Sequence, residues 1–199
     1  MNKYKLTNNT KQRKGITLYQ IKALKAFGNV KEGELGGWIE KESNLSQENN
    51  CWVSGNARVF GNARVYGNAR VYGDASVFGD AMVYGYAEVY GDAEVSGDAM
   101  VAGYADVYGD AMVSGDAEVH GYARLCAKLN YTKGWFIGGD ESGKITNITD
   151  KTGTDFWGAQ YVLGDYEITE QESTDDTIEI EGVKYKASEV KEALKNFKK

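Results

Sequence analysis

VSGNAR VFGNAR VYGNAR VYGDAS, residues 53–76, opens a run of hexads that continues without a gap to VHGYAR at 119–124. Twelve successive units follow one rule: Val, any residue, Gly, then Asn, Asp or Tyr, then Ala, then any residue. A fixed short period of this kind is the signature of stacked repeat units and takes precedence over any local reading. In extended backbone, successive side chains point to opposite sides, so Ala-x-Val sends Ala and Val one way and the flanking residues the other. Gly permits the backbone angles of a corner. Asn and Asp at the next place suit a turn, because their side chains bond to nearby backbone. Each hexad is therefore one flat side and one corner, and repetition winds.

The number of sides per turn follows from one residue type. Tyr replaces Asn or Asp at the corner at Tyr86, Tyr104 and Tyr122, each 18 residues from the next, which is three hexads. Such recurrence predicts a triangular turn that stacks those rings in a column. Met82 with Met100, and Tyr72 with Tyr90 and Tyr108, form two further columns on the same count. The frame reaches backward more loosely: LGGWIE at 35–40 puts Leu35 and Ile39 in apolar slots, and Leu45 and Cys51 take the Ala slot of the next two hexads. Forward, LCAKLN at 125–130 keeps the spacing but loses its Gly and Ala.

These hexads resemble the left-handed β-helix hexapeptide family, which includes many acyltransferases and some carbonic anhydrases. The opening KYKLTNN, the stretch GELGGWIEKESNLS and the following GNARVYGNARVYGDA resemble hexapeptide-repeat proteins of phages and prophages over roughly residues 1–130. The left hand and a homotrimer are what that resemblance implies.

The expected architecture is mainly β. An N-terminal β cap spans 1–34, and a left-handed parallel β-helix of three hexads per turn spans 35–130. A small β unit follows over 131–168, then an acidic linker TEQESTDDT over 169–177. A hairpin-helix module closes the chain over 178–199, with IEIEGVKYK as its hairpin and EVKEALKNF as its helix. Short apolar runs broken by GG, SG and TG mark the small β unit, and Trp135, Phe136, Phe156 and Trp157 are its expected core.

The net charge of −6 is uneven: residues 1–34 hold eight Lys or Arg against two Glu, whereas the hexads hold four Arg against ten acids. An acidic shaft argues against duplex nucleic acid, which needs a continuous basic footprint. No run of 18 apolar residues and no secretory leader can be read, and two cysteines make no disulfide framework, so a cytoplasmic protein without membrane contact is expected.

Labelling the three sides by their outward residues separates candidate surfaces. The first carries Arg58 and Phe60, Ser76 and Phe78, Glu94 and Ser96, and Met112 and Ser114. The second carries Arg64 and Tyr66, Met82 and Tyr84, Met100 and Ala102, and Glu118 and His120. The third carries Arg70 and Tyr72, Glu88 and Tyr90, Asp106 and Tyr108, and Arg124 and Cys126. An apolar patch of this size is rarely left bare, so Met82, Met100 and Tyr84 are expected at a subunit contact of a homotrimer. Tyr86, Tyr104 and Tyr122 could join that contact or stack on a flat ligand such as a nucleotide base. His120 and Arg124 adjoin that corner, and Arg58, Arg64 and Arg70 ring one turn as phosphate-binding candidates.

The family's acyltransferases use a catalytic His, and His120 is the single histidine here, with Glu118 two residues away on the same side. No loop interrupts the hexads to roof such a site, and one His does not supply the three that the family's zinc sites use. Calcium-binding repeats use a nonapeptide, which is absent. The expectation is a non-catalytic, phage-encoded trimeric binding protein without cofactor, acting in counter-defence by sequestering a host nucleotide signal or by binding a host defence protein. The alternatives are an acyltransferase using His120 and a structural spacer of a virion.

Overall fold

The computed structural model describes residues 2–126 and 129–138, and three further strands at 160–170, 177–180 and 183–186. The terminal helix expected within 178–199, Phe156 and Trp157 lie outside the described residues.

The hexads form a β-solenoid. Each contributes a short strand whose second residue is the repeat Val, two residues long except for the four of Glu118–Gly121, and parallel partners lie 18 residues apart: Val59 beside Val77, Val83 beside Val101, Val89 beside Val107. Three hexads therefore close each turn. Every repeat Val and Ala from Val53 to Ala123 is buried, at 0–1 % exposure, in one continuous core. At roughly 1.5–3 kcal/mol per buried Val side chain, this narrow core is the main stabilising term.

The corners join coil to coil as tightly as the sides do. The Tyr86 amide donates to the Gly103 carbonyl at 2.7 Å, and the Tyr104 amide to the Gly121 carbonyl at 2.7 Å. Gly85 sits at φ +73°, where L side chains are strained, and a Cβ there would lie 2.9 Å from the Gly103 nitrogen. Glycine is thus required twice over, for its angle and for the approach of the next coil.

The N-terminal region is a hairpin of β1 (Tyr4–Arg13) and β2 (Ile16–Ala23), with β2 antiparallel to β3 (Leu35–Ile39) and β3 parallel to the first hexad strand on the first side. Tyr4, Ile21, Ala23, Val30 and Trp52 join the buried core and close that end of the prism. Tyr4 donates its hydroxyl to the Leu45 carbonyl at 2.6 Å, and burial drives its pKa far up. Lys3 is buried beside it and donates to the Cys51 carbonyl at 2.9 Å and the Glu48 carbonyl at 3.2 Å.

The hairpin also covers part of the first side. Leu18 packs with Trp38 and Phe60 in a second cluster. Arg13 reaches Glu94 at 3.9 Å and lies over the Phe60 ring, and the Lys11 ammonium lies 4.2 Å from the Trp38 ring centre.

The backward hexad frame differs from its expectation. Ile39 pairs with Val59 and Leu45 bridges to Val65, so both take Val slots, while Leu35 is 51 % exposed. The physical reason is an eight-residue step between Leu45 and Val53, which shifts everything before it by two. Cys51 does fall in the Ala slot, since its neighbour Trp52 pairs with Arg70.

At the other end the coil does not stop at 130. Strand Leu129–Gly138 runs parallel to Met112–Val113 on the first side and to Glu118–Gly121 on the second, bending round a corner without a break. Tyr131 pairs with Val113, 18 residues back, but Phe136 pairs with Val119, 17 back, so one residue is dropped at that corner. Phe136 and Tyr131 are buried against the last coil, edge to face at 5.2 Å, whereas Trp135 faces outward at 50 % exposure. The boundary drawn at 130 therefore falls inside a continuous sheet, and Trp135 is not a core residue. Strand Gln160–Glu170 pairs antiparallel with Leu129–Gly138 and extends two residues into the expected linker. Strands Thr177–Ile180 and Val183–Lys186 pair antiparallel.

Candidate functional site

The hexad rule turns residues beside the repeat Val outward, and the 18-residue register stacks them. Phe60 lies over Phe78 at 5.0 Å, Tyr66 over Tyr84 at 4.8 Å, Tyr72 over Tyr90 at 4.8 Å and Tyr90 over Tyr108 at 5.0 Å. The corner tyrosines do the same: Tyr86 to Tyr104 is 5.0 Å, Tyr104 to Tyr122 is 4.9 Å, and the planes are within 8° of parallel. They share one edge of the prism, between the second and third sides.

Along that edge runs a groove of about 390 Å³ lined by Tyr86, Tyr104, Tyr122, Glu88, Asp106 and Arg124. The corner column forms one wall. The floor is the outward row two residues further along each hexad, where Glu88 pairs with Asp106 and Asp106 with Arg124 in strand register. Tyr86 and Tyr104 are 55 % and 51 % exposed, so the wall is open to solvent.

The floor carries uneven charge. Arg124 Nε lies 3.2 Å from Asp106 Oδ2, and the guanidinium sits 5.9 Å from the Tyr108 ring centre. Tyr72 donates its hydroxyl to Glu88 Oε2 at 2.8 Å, and burial with the Glu88 charge drives the phenol pKa far up. Burial pushes the Asp106 carboxyl above its usual range; Arg124 opposes the shift and Glu88 adds to it. Tyr108 is pushed up to about 12 by its hydrogen bond to Cys126 and by burial.

Of the residues singled out by sequence, Tyr86, Tyr104, Tyr122 and Arg124 meet in this groove. The others lie elsewhere. His120 is on the second side, with Nε2 2.9 Å from Glu118 Oε2, and does not line the groove. Arg58, Arg64 and Arg70 stand one on each side, in register with Ser76, Met82 and Glu88 respectively, so they do not converge on one ligand. Arg58 Nη2 already donates to the Asp74 carbonyl at 3.0 Å, and Arg64 lies 5.9 Å from the Tyr66 ring centre. Met82 and Met100 are in register and half-buried on the second side, flanked by half-buried Tyr84. Trp135 continues their row, since it pairs with Glu118.

Glu88 and Asp106 are the groove residues that the sequence reading placed outward on the third side without assigning them to a site. The signal was present: the register that stacks the corner tyrosines also stacks whatever lies two residues later.

Among the described residues, no group of three or more His, Cys, Asp or Glu is placed to hold a metal ion, and no helix is long and apolar enough to cross a membrane. No curated protein matches the chain. Two stretches of the coil, residues 63–77 and 107–121, match the YdcK β-solenoid repeat, which agrees with the stacked parallel coils and identifies the repeat as that of a β-solenoid.

Proposed function

We propose that this chain is a non-catalytic binding scaffold whose ligand occupies the groove beside Tyr86, Tyr104 and Tyr122. The carrying observation is the convergence of three stacked corner tyrosines, two carboxylates and one arginine along a single open groove. The scaffold works as a homotrimer that contacts through the second side, where Met82, Met100 and half-buried Tyr84 lie together and exposed Trp135 stands beyond Glu118 in the same row. Its resemblance to phage hexapeptide-repeat proteins supports a role in an infected host, in counter-defence. Capture of a nucleotide in this groove is disfavoured physically. A phosphate would face Glu88 and Asp106, and the nearest guanidinium is already turned to Asp106 at 3.2 Å.

Native mass spectrometry of freshly purified protein tests this reading. A trimer carrying a bound molecule that is lost in Tyr104→Ala supports it; a bare monomer sinks it. One observation favours a second reading, acyl transfer: the 2.9 Å pair of His120 and Glu118, the geometry of a general base with its orienting carboxylate. His120→Ala with function intact removes that reading.

A further inference from the structure

We infer that the groove binds an aliphatic ammonium group, held between Glu88 and Asp106 with its methylene stem along the tyrosine wall. This rests on the groove being the binding site and specifies the chemistry that it accepts.

The first argument is what the wall can offer. Tyr104 has a parallel ring on both sides, at 5.0 and 4.9 Å. A flat ligand inserted between two rings needs about 7 Å, twice the contact distance of carbon atoms. The column is therefore closed to intercalation and presents ring edges and phenol oxygens sideways. Those edges sheath a hydrocarbon stem, and the oxygens accept hydrogen bonds from a donor-only head such as an ammonium.

The second argument is the charge on the floor. Glu88 and Asp106 are direct neighbours in register on adjacent coils, so two carboxylates stand one strand spacing apart. The row holds two cations, Arg70 in register with Glu88 and Arg124 held on Asp106 at 3.2 Å; of these Arg124 lines the groove and Arg70 does not. Glu88 accepts a neutral phenol hydrogen bond from Tyr72. Burial is the leading cause of the raised proton affinity of Asp106, Arg124 opposes it, and repulsion from Glu88 adds to it. A ligand cation seated between the two acids removes that repulsion, whereas an anion deepens it.

The third argument is direction. The floor and wall both run along the prism axis, so a ligand lies lengthwise, its head at the acids and its chain beside successive tyrosines. A lysine side chain of a partner protein and a linear polyamine share this chemistry. Two probes separate these sources: spermidine, and a capped tripeptide with a central lysine.

Isothermal titration against both probes, with ATP as the anionic comparison, tests the inference on the full chain. At least one amine is expected to bind, and Glu88→Gln and Asp106→Asn are each expected to weaken it about tenfold. Arg124→Ala is expected to tighten amine binding, because it frees Asp106; an anion site would respond the opposite way. These positions face outward, and circular dichroism checks that each variant keeps its coil. The inference is overturned if neither amine binds at millimolar concentration, if Glu88→Gln binds like the parent, or if Arg124→Ala abolishes binding. Should no amine bind while a co-purified molecule still leaves on Tyr104→Ala, the groove stands as the site and only the ammonium assignment falls.

Discussion

Asn44 holds the first corner in place by three bonds: its amide donates to the Gly61 carbonyl at 3.1 Å and the Ala63 carbonyl at 2.8 Å, and its oxygen accepts from the Lys41 amide at 2.9 Å. It is fully buried, so Asn44→Ala strands those groups and is expected to cost about 2–3 kcal/mol in urea denaturation. Asn44→Asp is expected to cost more at neutral pH, because a carboxylate only accepts and would face two carbonyls. Glycine offers a cleaner comparison. Gly15 has φ +84° with nothing within 4 Å of an added Cβ, whereas Gly85 has both a positive φ and a 2.9 Å clash with the next coil. Gly15→Ala should cost about 1 kcal/mol, for the angle alone, and Gly85→Ala at least about twice that. Equal losses in thermal melts would refute the close-approach argument. In the groove, the folded state binds the Asp106 proton more tightly than the unfolded chain does. This acid therefore lowers stability as pH rises through the ordinary carboxylate range to its folded value, and Asp106→Asn removes that loss. Carboxyl titration by NMR should show the Asp106 pKa falling in Glu88→Gln and rising in Arg124→Ala.

At the scale of elements, the β1–β2 hairpin does two jobs, closing the prism with Tyr4 and Ile21 and covering the first side with Leu18. Leu18 is 1 % exposed, and Leu18→Ala should cost about 2–4 kcal/mol, while Arg13→Ala should cost under about 1 kcal/mol, because its pair with Glu94 is partly exposed. A calorimetric scan of the two variants checks that order. The hexads were legible because each slot asks for one residue type for one physical reason. The first coil was not, because its eight-residue step between Leu45 and Val53 leaves no mark in composition. The hairpin's second job was hidden for another reason: Leu18, Trp38 and Phe60 come from separate segments and have no shared period. The tyrosine wall of the site could be read from an unusual residue in a corner slot, whereas acids at outward positions look like any solvated surface until a neighbour gives them meaning. The turn at the C-terminal end was misjudged because Trp135 and Phe136 are equally apolar, and only the 17-residue register tells which of them points inward.

For the whole molecule, the 18-residue register makes coil length adjustable only in complete turns. Deleting 85–102 joins Tyr84 to Gly103 and returns every later hexad to its own side, so a cooperative fold one turn shorter is expected. Deleting 91–96 keeps the hexad rule but rotates everything downstream by one side, parting Tyr104 from Tyr86 and sending Met100 and Trp135 off the row of Met82. That variant should lose its trimer in light scattering, whereas the longer deletion, which removes Met100 but leaves Met82, Tyr84 and Trp135 on one side, should keep a weakened one. The stacked phenols make this visible without a label. Tyrosine rings held parallel at 4.8–5.0 Å in three separate files couple their ultraviolet transitions and pass excitation from ring to ring. The near-ultraviolet dichroism thus becomes an optical gauge of alignment: it would dim on a slip of a single hexad that far-ultraviolet spectra, blind to which ring lies over which, could not detect.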